Sequence, residues 1–142
     1  MTPKEFLQRY RVADEKVKML NEQIERAESS AQGGGSSDGQ PHGTGTSDKV
    51  GKAATKAADL MVKLEAWKAE QERIKIEIIE VLSEVDRKEL LEVLQLRYIA
   101  PSPSDEWINI AVAMDRSVRQ VQRLHGDALQ IVGQIMEAKW NL

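Results

Sequence analysis

The sequence contains no cysteine. That excludes a disulfide framework, a thiolate metal site and a cysteine nucleophile, and it suits a reducing cytosol. Aromatic residues are scarce, at one phenylalanine, two tyrosines and three tryptophans. No run approaches the ~18 consecutive apolar residues that a membrane span requires. The opening Met1-Thr2-Pro3-Lys4-Glu5-Phe6 lacks the apolar stretch of a signal peptide. A soluble, cytoplasmic protein without a membrane partner is therefore expected. Also missing are a glycine-rich phosphate loop, a cluster of histidines or cysteines, and a triad arrangement. These absences argue against an enzyme, a metal site or a cofactor.

What is present is charge and helical periodicity. Charged residues make up 30% of the 142 residues and apolar ones 41%, a balance typical of long solvated helices or coiled coils around a modest core. The length suits one domain, or a small domain with an extension. The formal net charge of −3 gives the whole molecule no attraction for nucleic acid. Any such contact must come from a local basic patch.

The first segment, residues 1–29, predicts a helix from Pro3 to Ser29. Thr2 can cap it, Pro3 suits the first helical position, and Glu5 sits where a capping box needs it. Phe6, Tyr10, Ala13, Val17, Leu20, Ile24 and Ala27 then step by alternating fours and threes, a heptad pattern. Residues 30–48 are rich in Gly, Ser, Thr, Asp and Gln and predict a flexible linker, because nothing there offsets chain entropy. His42 within it reads as a solvated side chain. Residues 49–85 predict a second long helix. Leu60, Leu64, Trp67, Gln71, Ile74, Ile78, Val81 and Val85 repeat the heptad steps, which suggests an antiparallel coiled-coil hairpin within one chain or within a homodimer. Trp67 reads as core. Gln71 either sets register or marks a seam position that opens to solvent.

Residues 86–142 break into shorter helices. Leu90, Leu91, Leu94, Tyr98 and Ile99 form one apolar set, ended by Pro101 and Pro103. Ser104 can cap a short helix with Trp107, Ile108, Ala111 and Met114 on one face. Asp115 and Arg116 form a tight break. Ser117 caps a further helix with Val118, Val121, Leu124 and Ala128 inward. A short helix, a break and a capped second helix form the pattern of a helix-turn-helix. Its geometry needs a small residue before the turn (Ala111), a residue tolerant of positive φ in the turn (Asp115) and an aliphatic anchor after it (Val121). Gly126 and Gly133 interrupt the last helix and point to close packing or a kink. Ile131, Val132, Ile135, Met136 and Trp140 form an apolar stripe that can pack on the long helix or serve a dimer or polymerase contact.

Three stretches sharpen the reading: Val93-Leu94-Gln95-Leu96-Arg97-Tyr98-Ile99, Trp107-Ile108-Asn109-Ile110-Ala111 and Ser117-Val118-Arg119-Gln120-Val121. Together they resemble the fourth conserved region of bacterial sigma factors. With Arg123-Leu124-His125-Gly126 and the opening Met1 to Leu7, the chain is similar to small prophage proteins of Gram-positive bacteria related to the ArpU and RinA late-gene regulators. It departs from the usual pattern at Asp115, where glycine is common, and at Arg116, where an apolar residue is common. The resemblance implies an all-α protein, with the coiled-coil hairpin followed by a sigma-region-four-like helix-turn-helix, and a transcription role with double-stranded DNA as partner.

With Val118, Val121 and Leu124 inward, the outward set is Ser117, Arg119, Gln120, Gln122, Arg123 and His125. Arginine pairs with guanine and glutamine with adenine. The resemblance puts base contacts at Arg119, Gln122 and Arg123 and phosphate contacts at Ser117 and Gln120. Arg116 can also reach a phosphate, and His125 reads as a backbone or phosphate contact rather than a metal ligand. Residues 116–126 hold three arginines and no acid. Two other readings stay open: a module that binds RNA polymerase or another protein through a sigma-like fold, and a small terminase-like packaging protein.

Overall fold

The computed structural model describes residues 1–33, 45–101 and 104–141, with side-chain surroundings given for residues 1–30, 51–101 and 104–141. All regular structure among the described residues is helical. Helix α1 spans Pro3–Gly33, α2 Gly45–Leu82, and α3 Lys88–Leu94, which runs directly into a π turn over Gln95–Ile99. Helix α4 spans Trp107–Met114 and α5 Val118–Trp140. No described helix is long and apolar enough to cross a membrane.

The flanking helices reach further into the polar 30–48 stretch than their composition suggests. Helix α1 continues to Gly33 and α2 begins at Gly45. Once nucleated, a helix extends at little cost through residues such as Ser29, Ser30, Ala31 and Gln32. The remainder of the expected linker, with His42, lies outside the described residues. The start of α1 follows expectation: the Thr2 amide donates to Glu5 Oε2 and the Glu5 amide to Thr2 Oγ1, both at 3.1 Å. This reciprocal pair satisfies two donors that a helix start otherwise leaves open.

The chain divides into two compact units, residues 13–70 and residues 1–12 with 71–142. In the first, heptad positions of both long helices meet. Leu20, Ile24 and Leu64 are buried together, and Val17, Leu60 and Trp67 pack against them. Trp67 is thus half-buried against the core its spacing points to, and its ring carries the Lys16 ammonium 4.0 Å from the centroid.

The second unit has the denser core. Leu90, Val93 and Leu94 of α3, Ile110 and Ala111 of α4, and Val121, Leu124 and Ala128 of α5 are all buried, as are Phe6 and Leu7 of α1 and Ile78, Val81 and Leu82 of α2. Helix α4 turns Trp107, Ala111 and Met114 inward as expected, but the fourth inward residue is Ile110, which is buried, while Ile108 is 56% exposed. Trp107, Ile110, Ala111 and Met114 follow the i, i+3, i+4, i+7 spacing of one helix face, and Ile108 falls at its edge. The C-terminal apolar stripe packs inside this unit as well. Val132 and Met136 are buried, and the Trp140 ring lies 5.5 Å from Phe6. Gly133 has a plain role, since a Cβ there would meet Pro3 Cγ at 3.1 Å.

Candidate nucleic-acid interface

The junction between α4 and α5 rests on one residue with left-handed backbone. Asp115 has φ 53° and ψ 49°. Its amide donates to Val112 O at 3.2 Å, and the Arg116 amide donates to Ala111 O at 3.0 Å. This is the Schellman arrangement, which closes the carbonyls at a helix end and normally uses glycine. Aspartate can occupy the left-handed region at some cost. Ala111 and Val121 are buried beside this turn, as the spacing requires.

Helix α5 begins with a second capping box. The Gln120 amide donates to Ser117 Oγ at 3.1 Å, and the Ser117 amide donates to Gln120 Oε1 at 3.0 Å. Both side chains assigned to phosphate are thus engaged in starting the helix. Arg116 is engaged too, since its Nη2 lies 2.8 Å from Glu89 Oε1, which ties the turn to α3. The exposed residues left on this face are Arg119, Gln122 and Arg123. They lie three and four positions apart, and so share one side of the helix. Neither arginine has an ion-pair partner among the described residues.

His125 departs from its expected place. It is not on the outward face but 8% exposed, with Nε2 2.6 Å from Tyr98 Oη and its ring 4.8 Å from Trp107 in an edge-on arrangement. The cause is helix phase. Val121, His125, Ala128 and Val132 step by four, three and four, and all four are buried. Burial pushes the His125 pKa down to about 4, helped by the like charges of Arg97 and Lys4. The imidazole is therefore neutral at pH 7. Burial raises the Tyr98 pKa above its ordinary value, so the phenol remains protonated.

A polar chain surrounds this pair. The Arg97 guanidinium stacks 3.9 Å from the Trp107 ring centroid and donates through Nη1 to the Asp105 carbonyl at 3.0 Å. Asp105 also receives both terminal nitrogens of Arg11, with Nη2 to Oδ2 at 2.6 Å. The Arg11 guanidinium holds the Asp105 carboxyl below the usual carboxylate range. The segment between α3 and α4 is thereby pinned at Asp105. The π turn supplies Tyr98 and Arg97 in succession, one buried on His125 and the other laid over Trp107. Nothing in the spacing of polar residues announces this network; only the apolar phase of His125 hints at it.

The chain matches no known family model, no curated protein and no solved structure.

Proposed function

We propose that the protein is a DNA-binding transcription regulator of the phage or prophage kind, similar to late-gene activators, in which α4 and α5 form a helix-turn-helix and α5 enters the major groove. One observation carries this reading: Arg119, Gln122 and Arg123 stand together, exposed and uncommitted, on the outward face of a firmly capped helix that follows a tight left-handed turn. Arginine and glutamine are the side chains best suited to bidentate pairing with guanine and adenine. The resemblance to sigma region four and to the ArpU- and RinA-related proteins supports the regulatory role. The base-contacting set stays as the resemblance implies, and the wider set of DNA-contacting residues becomes narrower. It excludes His125, and it treats Ser117, Gln120 and Arg116 as residues that build the turn. The heptad faces of α1 and α2 fit an antiparallel coiled-coil hairpin that serves as a dimerisation element. Dimerisation would raise the affinity of a face that offers only two free cations.

Selection from a random duplex library tests this directly. Wild-type protein is expected to enrich a motif, and the Arg119→Ala/Arg123→Ala variant to lose it while remaining folded. Absence of enrichment by the wild type would overturn sequence-specific binding.

A second reading has its own observation. Ile108 and Val112, one turn apart on α4, are 56% and 75% exposed. An apolar pair of this kind suits contact with a protein such as RNA polymerase. Ile108→Ser/Val112→Ser should abolish polymerase capture if that contact exists, and leave duplex binding unchanged.

A further inference from the structure

Helix α5 contains two glycines seven residues apart, Gly126 and Gly133. Glycine is the poorest helix former after proline, so each calls for a reason. Positions seven apart share one face of a helix, about 10.5 Å apart along its axis. At Gly133 the reason lies within the chain, because a Cβ would press on Pro3 Cγ at 3.1 Å. At Gly126 the described residues offer none: among them an added Cβ would meet nothing within 4 Å. The fold therefore tolerates alanine at 126 and gains nothing from glycine there.

Gly126 also sits on a particular face. Arg119, Gln122, Arg123 and Gly126 follow the spacing of a single helix side, opposite the buried Val121, Leu124, His125 and Ala128. Gly126 is thus a bare patch of main chain one turn beyond the free arginines. A surface without a side chain allows a partner to approach the helix backbone itself. The charge beside it selects the partner, since the face carries the two unpaired guanidinium groups of Arg119 and Arg123 against the single exposed carboxylate of Asp127, which follows Gly126 and limits the basic patch. We infer that Gly126 is a close-approach point for the sugar-phosphate backbone of duplex DNA, seating the helix deep enough for Arg119, Gln122 and Arg123 to reach base edges. This inference rests on the DNA-binding reading above and adds a residue that contributes by lacking a side chain.

Gly126→Ala tests it, with stability and DNA affinity read in parallel. The variant is expected to melt higher by roughly 4 °C, because alanine is the better helix former. It is expected to bind mixed-sequence duplex DNA at low ionic strength about 10-fold more weakly, because a methyl group now holds the helix off. Arg119→Ala/Arg123→Ala is measured alongside. If that double variant binds as tightly as wild type, the DNA-binding reading itself falls and this inference with it. If the double variant loses binding while Gly126→Ala melts higher and binds as wild type, this inference alone is overturned. A Gly126→Ala protein that keeps its DNA affinity but dissociates from dimer to monomer in sedimentation also overturns it, with a second copy of the chain as the occupant instead. Lower stability in Gly126→Ala would show that the space at 126 is not open, and would remove the premise.

Discussion

The unit of residues 13–70 and the unit of residues 1–12 with 71–142 both bury apolar helix faces, but they hold them by different means. In the first, Leu20, Ile24 and Leu64 form a narrow seam between two helices, with small alanines at Ala13, Ala27 and Ala57 also buried. In the second, short helices meet around side chains that are almost wholly buried, and a tyrosine-histidine pair is enclosed with them. A seam between two helices leaves each side chain open on one flank; a core where α3, α4 and α5 meet closes it on all sides. The second unit should therefore respond more sharply to loss of a methylene and, through His125, lose stability in acid.

Cavity-forming substitutions give the largest expected difference. Leu94→Ala should cost about 4 kcal/mol and Leu64→Ala about 2 kcal/mol, because the seam can relax around the smaller residue. Chemical denaturation of each variant checks the ordering, and equal losses would break the comparison. Acid provides the next effect. His125 titrates near 4 in the fold against about 6.5 when unfolded. Its contribution is therefore fully present above about pH 6.5 and is lost as pH falls towards 4, a decline of about 3 kcal/mol in all. The His125→Gln variant should lose that slope. Stability curves measured from pH 4 to pH 8 would count against the buried imidazole if wild type and variant ran parallel.

Smaller effects probe single contacts. Tyr98→Phe should cost about 1.5 kcal/mol, since it leaves His125 Nε2 buried without a partner. Asp115→Gly should stabilise by about 1 kcal/mol in thermal melts, because glycine enters the left-handed region without penalty. Arg116→Ala, which breaks the partly exposed pair with Glu89, should shift stability by no more than about 0.5 kcal/mol.

These contrasts also explain how far the sequence could be read. Features that repeat along the chain were legible: the heptad faces of α1 and α2, the Thr2–Glu5 cap, Ser117 as cap, Asp115 as the positive-φ turn residue, and the anchors Ala111 and Val121. Each depends on residues a few positions apart. The features that were not legible depend on residues far apart in sequence. His125 pairs with Tyr98, Asp105 with Arg11 and Arg116 with Glu89, and only tertiary packing brings those partners together. The π turn at Gln95–Ile99 carries no composition signal of its own. The inward place of His125 was half-visible, since the steps from Val121 through His125 to Ala128 continue the apolar face. The polarity of a histidine suggests an outward place, but helix phase decides the inward one.

The most direct test of the central claim, that the outward face of α5 holds DNA through Arg119 and Arg123, is the salt dependence of duplex binding. Affinities of wild type and of Arg119→Ala/Arg123→Ala would be measured across a range of ionic strength. If both arginines meet phosphates or bases in the groove, the variant should bind more weakly at every salt concentration, and its log–log slope should be shallower by up to about two units. Identical slopes and affinities for the two proteins would contradict the claim and transfer the function to another surface.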